Sequence, residues 1–215
     1  MSQQLWQQLR PESMDSFIGA EEAVHALRMI DSGFVLISGP VGCGKTSLAL
    51  AWAKERFGVP LHEQETLAPM DKFYLQHLHA YDFELDLIKQ RQYFYWGVPT
   101  MIIVDEAQEL YEKRQQSKLK TIPQRPDLTL VLVTQEPSAL EKSIRDRCAH
   151  IRVGPLSLAD LKPIVERACN FRGIPCTPEL LRALNRAQVF RPRAVLNVVD
   201  SVARGLAPEA AVVGQ

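Results

Sequence analysis

The chain has 215 residues, which suits one large domain or one medium domain with a small satellite. Its 25 Lys and Arg residues balance 25 Asp and Glu residues, which excludes a general polycationic wrapper of nucleic acid, so any contact with DNA or RNA has to come from a local patch. No apolar run approaches the roughly 18 residues that span a membrane, and the polar first residues do not resemble a signal peptide. The four cysteines show no CxxC spacing, and we therefore expect free thiols in a cytoplasmic protein.

The first 154 residues alternate between apolar runs and amphipathic stretches, in the order that is typical of a doubly wound α/β fold with a parallel sheet. Short apolar runs predict buried strands at 34–37, 73–78, 101–104, 128–133 and 150–153. Apolar residues at helical spacing predict helices at 23–30, 45–57 and 81–95.

The pattern changes after residue 154, where three amphipathic helices follow without a strand. Ser157 and Asp160 form a capping box for the first helix, and Thr177 precedes a proline that begins the second. Gly205 ends the third helix. We therefore predict an α/β domain over residues 1–154, a small three-helix lid domain over 155–207 and a tail over 208–215.

Residues 39–46 fit the pattern G-x-x-x-x-G-K-[ST], which is typical of a loop that binds phosphate groups. The glycines let the backbone curl so that N–H groups face phosphate oxygens, and the following helix directs its positive end at the same charge. Lys45 is expected to reach the β- and γ-phosphates of a nucleotide, and the Thr46 hydroxyl to bind Mg²⁺. The predicted nucleotide contacts from this loop are Gly39, Pro40, Val41, Gly42, Cys43, Gly44, Lys45, Thr46 and Ser47.

Two carboxylates follow the apolar run 101–104, at the end of the strand where ligands bind in such sheets. Asp105 is expected to hold the Mg²⁺ shell, and Glu106 to orient and polarise an attacking water. Two acids where one would hold the metal indicate hydrolysis rather than nucleotide storage.

Three further stretches carry a family resemblance: residues 9–19, 133–137 and 143–148. Together with the phosphate loop and the acid pair, they resemble the AAA+ ATPases, most closely the subunits of sliding-clamp loaders. The similarity extends over residues 9–206. The resemblance implies that Arg10, Pro11, Phe17 and Ile18 border the adenine. It also places Gln135, with Thr134 beside it, at the position called sensor 1, which contacts the γ-phosphate or the water.

The resemblance also assigns roles to arginines. Arg147 corresponds to the arginine that is presented to the nucleotide of the neighbouring subunit, where a guanidinium stabilises charge on the transferred phosphoryl group. Asp146 stands where the family has a serine, and Arg145 could substitute for Arg147. Arg193 corresponds to the sensor-2 arginine of the lid, with Arg191 as a competing candidate.

A basic segment follows the acid pair, and the resemblance implies that it contacts DNA phosphates in the central channel of a ring. Its candidate residues are Lys113, Arg114, Lys118 and Lys120. An ordinary solvated helix face explains the same residues equally well.

The resemblance therefore implies an ATPase that uses ATP and Mg²⁺ and acts in replication, in a homo- or hetero-oligomeric ring on DNA, with a sliding clamp or another replication protein as partner. The resemblance does not extend to the helical collar of clamp loaders, so assembly would rest on the AAA+ modules, on DNA or on a partner chain. Two alternatives stay open: a helicase-loader or transposition-type regulator that assembles on DNA, and a nucleotide-binding scaffold with little turnover. Intact Lys45, Asp105 and Glu106 argue against the scaffold.

Overall fold

One six-stranded sheet lies at the centre of the protein, described here from a computed structural model that covers residues 4–68, 72–84, 97–110 and 116–213. Its strands are β1 (Gly33–Ser38), β2 (Thr66–Leu67), β3 (Tyr74–His79), β4 (Thr100–Asp105), β5 (Leu128–Thr134) and β6 (Cys148–Arg152). The spatial order is β2-β3-β4-β5-β1-β6, and β2 pairs antiparallel with β3 while the other neighbours pair parallel.

The helices of the described residues include short turns as well as long elements. They are α1 (Leu5–Gln8), α2 (Glu21–Arg28), α3 (Lys45–Phe57), α4 (Gln116–Leu119), α5 (Lys142–Arg145), α6 (Leu158–Arg172), α7 (Pro178–Arg186), α8 (Pro192–Ala203) and α9 (Pro208–Ala211). Single 3₁₀ turns occupy Met14–Ser16, Ala80–Asp82, Ala107–Leu110 and Pro137–Ala139.

The central strands are buried on both faces, which explains their continuous apolar sequence. Every residue of β5 is buried, and the two faces of the sheet belong to two separate apolar clusters. In the parallel register Ser38 lies opposite Thr134, and Val104 lies opposite Leu132. The carboxyl ends of β1, β4 and β5 therefore meet at one edge of the sheet, which is where a ligand site is expected.

The lid, which we define as α6, α7 and α8, has an apolar cluster of its own. The Ser157 capping box and the Thr177 cap are present as predicted. Leu5 of α1 and Ala211 of α9 are buried in the same cluster, so both ends of the described chain pack against the lid. The predicted domain boundaries at residues 154 and 207 stay predictions.

Most of the predicted elements are confirmed, including the strand at 73–78. The two-residue strand β2 was not predicted because it is too short to show a pattern. The predicted helix 81–95 begins in a 3₁₀ turn and then falls outside the described residues. No helix in the described part of the chain is long and apolar enough to cross a membrane.

Candidate functional site

A cleft lies at the carboxyl edge of the sheet, between the phosphate loop, residues 9–19 and the lid. Most of the site residues predicted from the sequence meet there. Those lining it are Arg10, Pro11, Phe17, Ile18, Val41, Gly42, Cys43, Gly44, Lys45, Thr46, Ser47, Asp105, Glu106 and Arg193.

The phosphate loop has the tight geometry that its glycines predict. Gly39 has a φ of 155°, and a Cβ there would lie 2.0 Å from the carbonyl oxygen of Val153, so only glycine fits. Gly44 has a φ of 91° and immediately precedes α3. Lys45 is 9% exposed, and its Nζ donates to the carbonyl oxygen of Pro40 at 2.9 Å. A buried ammonium at a helix N-terminus is the arrangement that binds phosphate.

Thr46 and Asp105 form the second part of the site. The Thr46 hydroxyl donates to Asp105 Oδ2 at 2.8 Å, although the two residues lie on different elements. Burial alone would raise the pKa of the Asp105 carboxyl, but contacts with His77, with Thr46 and with the Glu106 N–H outweigh it, and the pKa lies below its usual range. A hydroxyl and an ionised carboxylate are oxygen donors of the kind that Mg²⁺ prefers, so the pair fits this ion.

Lys45 lines the same cleft as the two acids, and their charges act on the pKa of its ammonium. Burial lowers the pKa of the Lys45 ammonium, while the negative charges of Glu106 and Asp105 act in the opposite direction. The described residues hold no group of three His, Cys, Asp or Glu side chains that could bind a metal without further ligands. A metal at Thr46 and Asp105 would therefore need oxygens from a ligand, as phosphate groups provide.

His77 supports Asp105 from the neighbouring strand, a contact that the sequence did not predict. Its Nδ1 accepts the backbone N–H of Gln64 at 2.8 Å, so the ring hydrogen is placed on Nε2. Nε2 is buried and lies 3.8 Å from Asp105 Oδ2. The sequence shows His77 and His79 two residues apart in a predicted strand. The contact of His77 with Asp105, however, depends on the pairing of β3 with β4, which the sequence does not show.

The two residues at the sensor-1 position differ in environment. Thr134 is fully buried, and its hydroxyl donates to Gln108 Oε1 at 2.6 Å. Gln108 Nε2 in turn donates to Glu106 Oε2. Gln135 is exposed. Thr134, rather than Gln135, is thus connected to the acid pair, and it is connected through a residue that the sequence did not indicate.

The opposite side of the cleft is apolar and includes an aromatic residue that the sequence analysis missed. Trp6 lines the cleft together with Leu9, Leu156, Ile164 and Leu196. The Arg193 guanidinium lies 4.4 Å from the centre of the Trp6 ring, and the backbone N–H of Arg193 donates to the Gly42 carbonyl at 3.2 Å. The lid therefore contacts the phosphate loop directly. The sequence feature that could have indicated Trp6 as a cleft residue is its position close to Arg10.

Arg10 connects residues 9–19 to the helix that follows the phosphate loop. Its Nε donates to the Ser47 hydroxyl at 2.8 Å, and its guanidinium pairs with Glu63. These contacts hold residues 9–19 beside the cleft.

Arg147 lies away from the cleft and is held within its own subunit. Its guanidinium donates to the carbonyl oxygens of Leu119, Lys120 and Ile122 at 3.4, 3.0 and 2.7 Å, and lies 4.5 Å from the centre of the Phe34 ring. Its role towards a neighbour therefore stays a prediction, as does that of Arg145, whose Nε is buried without a hydrogen bond in the described residues.

The basic segment is only partly described. Lys113 and Arg114 lie outside the described residues, as does the side chain of Lys118. Lys120 is exposed and pairs with Glu141. Its predicted contact with DNA stays a prediction.

Comparison with known proteins decides the family. The model of the ATPase family associated with various cellular activities (AAA) matches residues 35–156, more than half of the chain. The chain belongs to the AAA family. This AAA match contains the phosphate loop, the acid pair and Thr134, whereas α1 with Trp6 and the lid lie beyond it.

Relatives of this AAA chain include subunits of replication factor C. It is 25% identical over 216 residues to the replication factor C large subunit of Methanothrix thermoacetophila, covering 92% of this chain and 43% of that protein. It is 28% identical over 209 residues to the small subunit of Natronomonas pharaonis, covering 93% of this chain and 62% of that protein. The AAA chain thus spans about half the length of the curated relatives it matches.

The fold is also similar to that of a solved AAA-type structure, RuvB of Thermotoga maritima, described as a Holliday junction branch migration motor. The TM-score is 0.62 at 21% identity, covering 91% of this chain and 65% of the RuvB chain. At this identity the likeness concerns the fold alone.

Proposed function

We propose that this chain hydrolyses ATP as a clamp-loader-like subunit, and that ATP binding and hydrolysis control its assembly on DNA. The observation that carries the proposal is the meeting of Lys45, the Thr46–Asp105 pair and Glu106 in one cleft. The relation to replication factor C subunits supports the clamp-loader reading.

The proposed reaction divides its work among these residues. Loop N–H groups and the Lys45 ammonium bind the phosphates. Thr46 with Asp105 would hold Mg²⁺, which would neutralise charge on the phosphate oxygens. Glu106 accepts a proton from the attacking water, and its backbone has a φ of 52°. Arg193 reaches the phosphates from the lid once it leaves Trp6.

Assembly would couple several copies or related chains. A guanidinium of one subunit, from Arg147 or Arg145, completes the site of the next, and the basic segment contacts DNA phosphates without reading sequence. Hydrolysis removes the γ-phosphate, which the guanidinium of the neighbouring subunit contacts. The contact between the subunits is then weaker, and the assembly loosens from the DNA.

Steady-state ATP hydrolysis is the test of this proposal. The protein is assayed alone and with single-stranded DNA, blunt duplex and a primer–template junction at equal nucleotide concentration. We expect stimulation, with the junction giving the largest effect. Stimulation by any duplex would favour a helicase-loader or transposition-type regulator. A turnover rate that DNA does not change would contradict assembly on DNA. Absence of turnover would contradict ATP hydrolysis by this chain.

Trp6 provides a second test, because it lines the cleft and contacts Arg193. We expect Trp6→Leu to raise the dissociation constant of ADP about 10-fold, since loss of an aromatic surface beside a base costs about 1–3 kcal/mol. Addition of ADP should also change tryptophan fluorescence. The change should be lost in Trp6→Phe and kept in Trp52→Phe, which alters a buried tryptophan in the core. A change that persists in Trp6→Phe would contradict the placement of the nucleotide.

A further inference from the structure

A chain of three hydrogen bonds joins the end of β5 to Glu106. The backbone N–H of Glu136 donates to Thr134 Oγ1 at 3.0 Å. Thr134 Oγ1 donates to Gln108 Oε1 at 2.6 Å, and Gln108 Nε2 donates to Glu106 Oε2. Thr134 is fully buried and Gln108 is half-buried, so water competes little for the hydrogen bond between them.

The direction of this chain is set by the donors. The Thr134 oxygen already accepts an N–H, so its single hydrogen is free to be donated, and the amide oxygen of Gln108 accepts it. The amide nitrogen of Gln108 then faces Glu106 and donates to its Oε2. A carboxylate has about four acceptor positions, so this bond leaves others for a water molecule.

We propose that Gln108 is a positioning residue that fixes the Glu106 carboxylate for attack on the nucleotide; this inference rests on the proposed function. The Glu106 backbone has a φ of 52°, and its carbonyl accepts the Glu109 N–H at 2.9 Å, so the main chain is held. The side chain retains rotatable bonds, and the Gln108 amide restrains them. A displacement of about 1 Å at a reacting group can reduce a rate by about 10²-fold.

Thr134 has an indirect role in this arrangement. Its hydroxyl hydrogen is used by Gln108, so the buried end of β5 acts on the reaction through the orientation of Glu106. A contact of this kind affects the chemical step and leaves nucleotide binding to the phosphate loop and Lys45.

The test compares turnover with nucleotide affinity in matched variants. Gln108→Leu keeps the volume and removes both hydrogen bonds, and we expect kcat to fall about 10–100-fold with the dissociation constant of ATP changed less than twofold. Thr134→Val should lower kcat similarly, and Thr134→Ser should restore most of it. The control is Gln8→Leu, the same change at an exposed glutamine.

Double variants separate positioning from general damage. Gln108→Leu combined with Thr134→Val should be no slower than the worse single variant, because both interrupt one chain. In the background of Glu106→Gln, Gln108→Leu should have no further effect. Additive losses, or equal loss of affinity and kcat, would overturn the inference. Normal kcat in Gln108→Leu would overturn it while leaving the proposed function intact, whereas a wild-type protein without turnover would overturn both.

Discussion

The variant Glu106→Gln is expected to lose ATP turnover by about 10²–10⁴-fold, because an amide cannot accept the proton of the attacking water. Nucleotide binding should persist, since Lys45 and the Thr46–Asp105 pair are unchanged. The variant should therefore accumulate in the ATP-bound, assembled state. Turnover is measured in steady state, and assembly by light scattering after size exclusion with and without ATP.

The matched control for this change is Glu22→Gln, the same substitution at an exposed position on α2. It should leave turnover and assembly as in the wild type. If Glu106→Gln stays monomeric with saturating ATP, assembly does not depend on the bound triphosphate. If it retains turnover within about 10-fold of the wild type, Glu106 is not the general base.

Replacement of Arg147 by Ala should have two separate effects. Loss of the bonds to the carbonyls of residues 119, 120 and 122, and of the contact with Phe34, should lower the free energy of unfolding by about 3 kcal/mol. For a chain of this size, that corresponds to a fall in Tm of about 6–12 °C. Assayed well below the new Tm, turnover should still fall by about 10³-fold if Arg147 also serves a neighbour.

Mixing of variants distinguishes the two roles. Arg147→Ala retains its own Lys45 and Glu106, and Glu106→Gln retains Arg147, so a mixed interface contains one complete site. Turnover should therefore recover when the two inactive proteins are combined. Recovery would support action across the interface. A lower Tm without recovery on mixing would confine Arg147 to its own subunit, and the same experiment with Arg145→Ala would then test the remaining candidate.

The sequence predicted the part of the site that rests on contiguous residues. The phosphate loop and the pair at 105–106 are short motifs whose spacing is set by a strand end and a helix start, and the structure brings them together. The residue types indicate the chemistry, because few other residues could replace the glycines and lysine of the phosphate loop or the carboxylates at 105–106.

Residues that act through long-range contacts were not predictable. His77 reaches Asp105 only because β3 pairs with β4, and Gln108 reaches Thr134 only because β4 lies beside β5. Arg147 was assigned by resemblance alone, and its contacts depend on where residues 119–122 return to the sheet. None of these distances follows from a periodic pattern, because each joins elements that are far apart in the chain.

The first residues of the described chain act as a short tether between the two halves of the protein. Leu5 is buried in the lid, whereas Arg10 bonds to Ser47 at the start of α3. Five residues of fully extended chain span at most roughly 17 Å. While both anchors hold, their separation cannot exceed this length, so a proteolytic cut between Leu5 and Trp6 should widen the range of lid movement while the cleft residues Trp6 and Leu9 stay attached to Arg10.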